Sequence, residues 1–256
     1  MNSIIETKDL TIAFGGHVAV DHVSVEIPEN TFTSVIGPNG AGKTTFFNLI
    51  SGQLKPTEGQ VFFEGEDITN WTVVERTRAG IGRSFQLTNV FPNLSVLENI
   101  RLAIQSREKV RFNLFRHFNS YKAFEEEAKE LLRLVLLSDK AESLAIKLSH
   151  GEKRKLEIAM LLALQTKVLL LDEPTAGMSL EEVPTILKVI KNIKEQGDRT
   201  VVLIEHKMEM VLDLSDRMMV LFNGQLLAEG TPQEMMENET VQEAYLGGDP
   251  NVRVHT

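Results

Sequence analysis

Cysteine is absent from the 256 residues, tryptophan occurs once and tyrosine twice. Without thiols there is no disulfide framework and no thiolate metal site, which fits a reducing compartment. Basic residues are outnumbered, 27 Lys and Arg against 36 Asp and Glu, for a formal net charge of -9. That balance argues against nucleic acid as the main partner, because phosphate backbones call for a basic footprint. Long apolar runs are missing too. Leu131-Leu132 is interrupted by Arg133, and Leu134 to Leu137 ends at Ser138-Asp139, so no stretch is suited to crossing a bilayer. Met1 to Lys8 lacks the charged-then-apolar organisation of a secretory signal. Any membrane role is therefore expected to come through a partner.

What is present is ordinary globular composition, 42% hydrophobic, with length for one large domain or a core with a lobe. One stretch stands out. Thr33-Ser34-Val35-Ile36 reads as a short buried strand, and Gly37-Pro38-Asn39-Gly40-Ala41-Gly42-Lys43-Thr44-Thr45 follows it directly. Glycines at 37, 40 and 42 permit a tight turn whose N–H groups converge on an anion, with a helix start aimed at the same point. In such a phosphate loop Lys43 reaches the β- and γ-phosphates and the Thr44 hydroxyl holds Mg²⁺.

Around this loop, Ile4-Ile5, Leu10 to Ile12, Val23 to Ile27 and Val61 to Phe63 read as strands. Phe14 precedes the loop, and such a ring can stack on a base or fill a core. Gln86 follows a short strand-like piece, where its carbonyl can ligate Mg²⁺ or orient water, or simply face solvent. Ser95 to Glu98 is a capping-box pattern that opens a helix. Arg107, Lys109, Arg111, Phe112, Phe115, Arg116, His117 and Phe118 interleave charge with aromatics. Single-stranded nucleic acid is one reading of that pattern; an inserted helical lobe suits the acidic whole better. Tyr121, Phe124, Ala128, Leu131 and Val135 recur at helical spacing.

Ser149-His150-Gly151-Glu152 opens another helix through Leu164, with Leu156, Met160 and Ala163 as its expected inward stripe. Ser149 and Glu152 form a capping box, and the same helix start offers N–H groups to an anion. Val168 to Leu171 is a buried strand that runs into Asp172-Glu173, carboxylates placed where α/β sheets bind ligands and where Mg²⁺ and attacking water need them. Thr200 to Ile204 is a further β-branched run, ending Glu205-His206. Asn223-Gly224 predicts a type I′ hairpin, Thr231-Pro232-Gln233-Glu234 a capped helix, and Gly247 to Thr256 a loose tail.

In this order the motifs resemble those of the ATP-binding cassette (ABC) ATPases over essentially the whole chain. Gly37 to Thr44 resembles the Walker A loop, Gln86 the Q-loop glutamine, Leu148 to Glu152 the signature, Val168 to Glu173 Walker B and His206 the switch histidine. Gly80 to Gln86, the Arg107 to Phe118 insertion, Ala176-Gly177-Met178, Ile204 to His206 and Tyr245-Leu246-Gly247 are similar to the ATP-binding subunits of branched-chain amino acid importers and their urea and amide relatives.

The resemblance implies an α/β P-loop NTPase (RecA-like) core with an antiparallel β subdomain and an inserted α-helical subdomain. Residues 1–88 and 162–230 would form the core with its β subdomain, 89–161 the helical subdomain and 231–256 a C-terminal helix and tail. It also implies roles. Phe14 stacks on adenine, residues 37 to 45 bind ATP, and Thr44, Asp172 and Gln86 serve Mg²⁺. Glu173 polarises water, His206 meets the γ-phosphate, and Ser149, His150, Gly151 and Glu152 act on ATP held by a second ATPase subunit. Permease subunits and a substrate-binding protein complete the expected assembly, at the cytoplasmic face of the membrane. A lipid or lipopolysaccharide exporter ATPase is the nearer rival; DNA-repair or translation cassettes are more distant.

Departures from the commonest pattern are His150 for Gly, Glu152 for Gln, Ser179 for the Asp that many members carry, and Phe14 for Tyr. Ser179 in particular suggests pairing with a second, different ATPase subunit.

Overall fold

The computed structural model describes residues 2–84, 90–108 and 118–246. In chain order they form β1 (Ser3–Phe14), β2 (His17–Pro28), β3 (Phe32–Ile36), α1 (Lys43–Ser51), β4 (Glu58–Phe63), β5 (Glu66–Asp67), α2 (Val73–Ala79), β6 (Ile81–Arg83), α3 (Val96–Arg107), α4 (Phe118–Leu134), α5 (His150–Ala163), β7 (Val168–Asp172), α6 (Val183–Gln196), β8 (Thr200–Ile204), α7 (Met208–Leu214), β9 (Arg217–Phe222), β10 (Gln225–Gly230), α8 (Pro232–Glu237) and α9 (Glu239–Leu246). The chain divides into two units, Met1–Arg76 with Thr200–Thr256, and Thr77–Arg199.

The first unit holds an antiparallel sheet ordered β2-β1-β4-β5. The blocks Ile4-Ile5 and Leu10 to Ile12, expected as separate strands, are two parts of β1. Asp9 at φ 47 and a pairing shift between Thr7 and Leu10 mark a bulge there. A bulge inserts one residue and breaks the alternation that a sequence reader follows. The same unit contains β10, β9, β3 and β8 in that order, with β9 and β8 each parallel to β3 and β10 antiparallel to β9. All five residues of β3 are buried, as for a strand covered on both faces. Ile36, Val211, Met218, Val220, Met235 and Val241 form one apolar cluster that binds α7, α8 and α9 to β3 and β9. Asn223 and Gly224, at φ 49 and 83, make the expected hairpin turn. Thr231 and Glu234 cap α8 reciprocally.

Arg76 lies at the heart of this unit, 1% exposed. Its guanidinium donates to the carbonyls of Leu49 and Ile50, at 2.7 Å each, and to those of Ile68 and Thr69 at 2.8 and 3.1 Å. The first two are carbonyls of the last turn of α1, so the cation closes the negative end of that helix. Burial pulls the guanidinium pKa down to about 10, opposed by Asp67.

In the second unit β6 and β7 pair in parallel, and α3 packs on α4 and α5. Ser95 caps α3 by accepting from the Glu98 N–H, yet Glu98 turns its carboxylate to Arg101 at 2.7 Å. Only half of the expected capping box therefore forms. Along α4, Ala128 is fully buried while Phe124 and Leu131 are half-buried; Val135, just past the helix end, is fully buried, and Leu132, outside the expected stripe, is 1% exposed. The helix meets both α3 and α5, which widens its buried face beyond a single row. Arg107 is a structural tie: it chelates Glu127 of α4 at 2.6 and 3.0 Å and donates to the Ala163 carbonyl at the end of α5 at 2.9 Å. The remaining basic and aromatic positions up to His117 lie outside the described residues, as does the tail from Gly247.

Candidate functional site

Two backbone constraints shape the loop after β3. Gly37 has φ 149, and a Cβ there would stand 2.1 Å from the Leu221 carbonyl oxygen. Gly42 has φ 96, and its Cβ would stand 2.4 Å from the Ala19 carbonyl oxygen. Only glycine fits both the dihedral and the space. The Ala41 N–H bonds the Pro38 carbonyl at 3.2 Å and the Gly224 N–H bonds the Ala41 carbonyl at 3.1 Å, so the hairpin β9–β10 braces the loop. Asn39 and Gly40 form its exposed crest, and Pro38, Thr44 and Thr45 are half-buried.

The helix α1 begins at Lys43 behind Gly42, with no side-chain cap and no acidic residue in its first turn. A helix start without a side-chain acceptor offers its N–H groups to an outside anion. Lys43 is 6% exposed, and its ammonium donates to the carbonyls of Gly37 and Pro38 at 2.7 and 2.9 Å. The charge is thus stored over the loop, satisfied by main-chain oxygens.

Parallel pairing puts Val35 opposite Ile204, so the carboxyl ends of β3 and β8 stand side by side. This brings the loop and Glu205-His206 to one edge of the unit. Glu205 is buried, His206 is exposed, and the His206 N–H donates to the Glu205 carboxylate at 3.1 Å. Phe14, 49% exposed at the end of β1, is not a core residue.

In the second unit β7 delivers Asp172 at its carboxyl end. The side chain is 1% exposed; Oδ2 accepts from Arg83 at 2.9 Å, while the buried Oδ1 has no hydrogen-bond partner among the described residues. Burial pushes the Asp172 carboxyl above its ordinary value, and Arg83 opposes the shift. Glu173 follows at φ 45, a left-handed conformation that is costly for a residue of its size. Such strain is held where a side chain must be aimed. Arg154 supports the turn by donating to the Asp172 carbonyl at 2.7 Å, and it is itself paired with Glu157 at 2.7 Å.

The helix α5 starts with the expected box: the Glu152 N–H donates to Ser149 Oγ at 3.2 Å and the Ser149 N–H to Glu152 Oε2 at 2.9 Å. His150 is exposed and Gly151 is buried. Glu182, a residue the motifs do not single out, meets the same helix start. Its Oε1 accepts from Ser149 Oγ at 2.8 Å and from the Gly151 N–H at 3.2 Å. The expected inward stripe of α5 needs one correction. Leu156 and Ala163 are buried, but Met160 is only half-buried and helps to line a groove of about 440 Å³ with Arg83, Phe91, Leu102, Ala103 and Leu164. Arg154, Lys155 and Glu157 are buried instead, since this helix supports the end of β7 and not only the apolar core.

Gln86 lies outside the described residues. Arg83, Arg154 and Glu182 were missed by sequence reasoning because their partners are distant in the chain; Arg83's place inside a motif-like stretch was the sole hint. Among the described residues no three or more His, Cys, Asp and Glu side chains converge on a metal cage. The buried Asp172 Oδ1, without a hydrogen-bond partner among the described residues, is nevertheless a suitable hard donor for Mg²⁺, an ion that keeps water and phosphate oxygens in its shell and uses few protein ligands.

The family profile described as ABC transporter matches residues 20–176, and one described as branched-chain amino acid ATP-binding cassette transporter matches residues 225–250. The chain is 36% identical over 250 residues to the high-affinity branched-chain amino acid transport ATP-binding protein BraF of Pseudomonas aeruginosa, covering 95% of this chain and 98% of BraF. The crystal structure of the ADP conformation of MJ1267, an ATP-binding cassette of an ABC transporter, superposes with a TM-score of 0.80 at 31% identity over 96% of this chain and 100% of that one. A dimeric, post-hydrolysis structure of the cassette MJ0796 bound to ADP and Pi gives a TM-score of 0.75 at 27% identity, over 89% and 98% of the two chains. With its α/β fold, its glycine-rich loop ahead of α1 and these relatives, the chain belongs to the ATP-binding cassette family of transporter ATPases.

Proposed function

We propose that this chain binds and hydrolyses ATP to energise import of branched-chain amino acids, or a related small solute, through a membrane permease. The observation that carries the ATPase part is the loop 37–45, braced by main chain on both flanks and holding a buried lysine at an uncapped helix start. The match at residues 225–250 supports an importer of this class over the exporter alternative.

In the proposed mechanism the adenine ring stacks on Phe14, and the amides of residues 37 to 45 receive the phosphates. Lys43 exchanges its two carbonyl acceptors for β- and γ-phosphate oxygens. Thr44, Asp172 and Gln86 would hold Mg²⁺, which supplies charge neutralisation on the phosphates. The water oxygen attacks the γ-phosphorus and the bond to the β-bridging oxygen breaks, giving ADP and phosphate. Glu173 takes the water proton, and His206 steadies the γ-phosphate. Ser149 and Gly151 serve the nucleotide of the opposite cassette, so one chain holds an incomplete site. The existence of a dimeric ADP-bound relative supports a paired arrangement, with either a second copy or a different ATPase subunit.

Among the described residues no helix is long and apolar enough to cross a membrane. Association with permease subunits at the cytoplasmic face is therefore assigned to protein contacts, with the groove beside Phe91 and Met160 as the receiving surface and residues 89–161 as the helical subdomain. A substrate-binding protein would present the solute on the other side. Glu173→Gln tests the reading. The variant should keep ATP affinity, lose turnover by at least about 100-fold, and accumulate an ATP-bound pair in scattering measurements. Native turnover in that variant would remove Glu173 from the chemistry.

A further inference from the structure

The start of α5 is already occupied by an anion. Glu182 is the N-cap residue of α6, yet it makes no side-chain cap to its own helix. Its carboxylate turns to the other helix, where Oε1 accepts from Ser149 Oγ at 2.8 Å and from the Gly151 N–H at 3.2 Å. Oε2 accepts from the Ser179 N–H at 3.3 Å and its hydroxyl at 3.4 Å. The fit is close, since a Cβ at Gly151 would stand 3.0 Å from Glu182 Oε1. We propose that Glu182 is an internal stand-in for the γ-phosphate, which holds the α5 donors in the resting chain and must leave them when an opposing cassette presents its nucleotide. This rests on the nucleotide reading given above.

Elementary chemistry makes the two states exclusive. A serine hydroxyl has one proton to donate and an amide one N–H, so neither Ser149 nor Gly151 can serve the carboxylate and a phosphate at full strength together. Two anions at one helix start also repel. The Ser149 hydroxyl, followed by the Gly151 and Ser179 N–H groups, holds the Glu182 carboxyl below its ordinary value, which keeps the group ionised at neutral pH. Glu182 also closes the loop that begins at Glu173. The Ala176 N–H bonds the Glu173 carbonyl at 3.0 Å and the Glu182 N–H bonds the Ser179 carbonyl at 3.0 Å. Release of the carboxylate would therefore free Ser179, the residue that replaces the usual aspartate, at the moment the opposing phosphate arrives.

The test uses the full chain with Mg²⁺ and the β,γ-imido analogue of ATP, and follows pairing by sedimentation while calorimetry reports nucleotide affinity. Glu182→Ala should halve-saturate pairing at a protein concentration about tenfold lower than the native chain, the scale of one charge-assisted hydrogen bond. Glu182→Gln, which keeps the shape and an acceptor but loses the charge, should fall between the two. Mere structural damage would weaken pairing and cannot produce this gain. Unchanged or weaker pairing in both variants, with nucleotide affinity intact, would overturn the role of Glu182 and leave the ATPase reading standing. Failure of the native chain to bind the analogue would overturn both.

Discussion

Lys43 shows how much a single side chain can commit to one ligand class. Its ammonium rests on two carbonyls of the loop at 2.7 and 2.9 Å, so its charge is oriented before any ligand arrives. In the proposed phosphate-binding role, removing it takes away charge-assisted contacts worth roughly 1.5–3 kcal/mol each. Lys43→Ala should therefore weaken ATP binding at least about 100-fold. Undiminished affinity by calorimetry would cancel the phosphate assignment. The strain at Glu173, with φ 45, belongs to the same scale. A residue held in a left-handed conformation at the end of a buried strand has been aimed by its surroundings, and Arg154 on the preceding carbonyl supplies part of that support.

At the scale of elements, some helix starts are closed by their own residues and others are left open. Thr231 closes α8 with a reciprocal box and Pro232 in the first turn. Thr231→Ala should lower stability by about 1 kcal/mol, read from a shift in the urea midpoint, with ATP affinity unchanged. The start of α1, behind Gly42, is an open one. Local chemistry made much of this legible beforehand: Ser149 with Glu152, Thr231 with Glu234, Asn223-Gly224 and the run Val168 to Asp172 all form elements where their neighbours in sequence dictate. What was not legible depends on distant partners or broken periods. The bulge at Asp9 split β1 into two apparent pieces. Leu132 is buried because α4 meets two helices at once. The Arg83–Asp172 and Glu182–Ser149 contacts join residues 89 and 33 positions apart, and no local pattern announces them.

For the molecule as a whole, each unit carries an arginine that ties separate segments together, buried in the first and half-buried in the second. In the first, Arg76 gathers four carbonyls from two stretches, 49–50 and 68–69; in the second, Arg107 joins three helices. Replacing Arg76 with methionine would strand those carbonyls in a dry interior, at a cost of about 3 kcal/mol. Arg76→Met should lower the melting temperature by roughly 6–12 °C for a chain of this size. An unchanged melting curve would show that the four hydrogen bonds carry no net stability. The Arg76 knot also limits how the protein can be cut down. Because residues 49–50, 68–69 and 76 share one guanidinium, a trimmed nucleotide-binding fragment or a graft of the loop onto another scaffold has to carry the entire 43–76 segment. A peptide that stopped after α1 would end on a helix whose last carbonyls had lost their clasp.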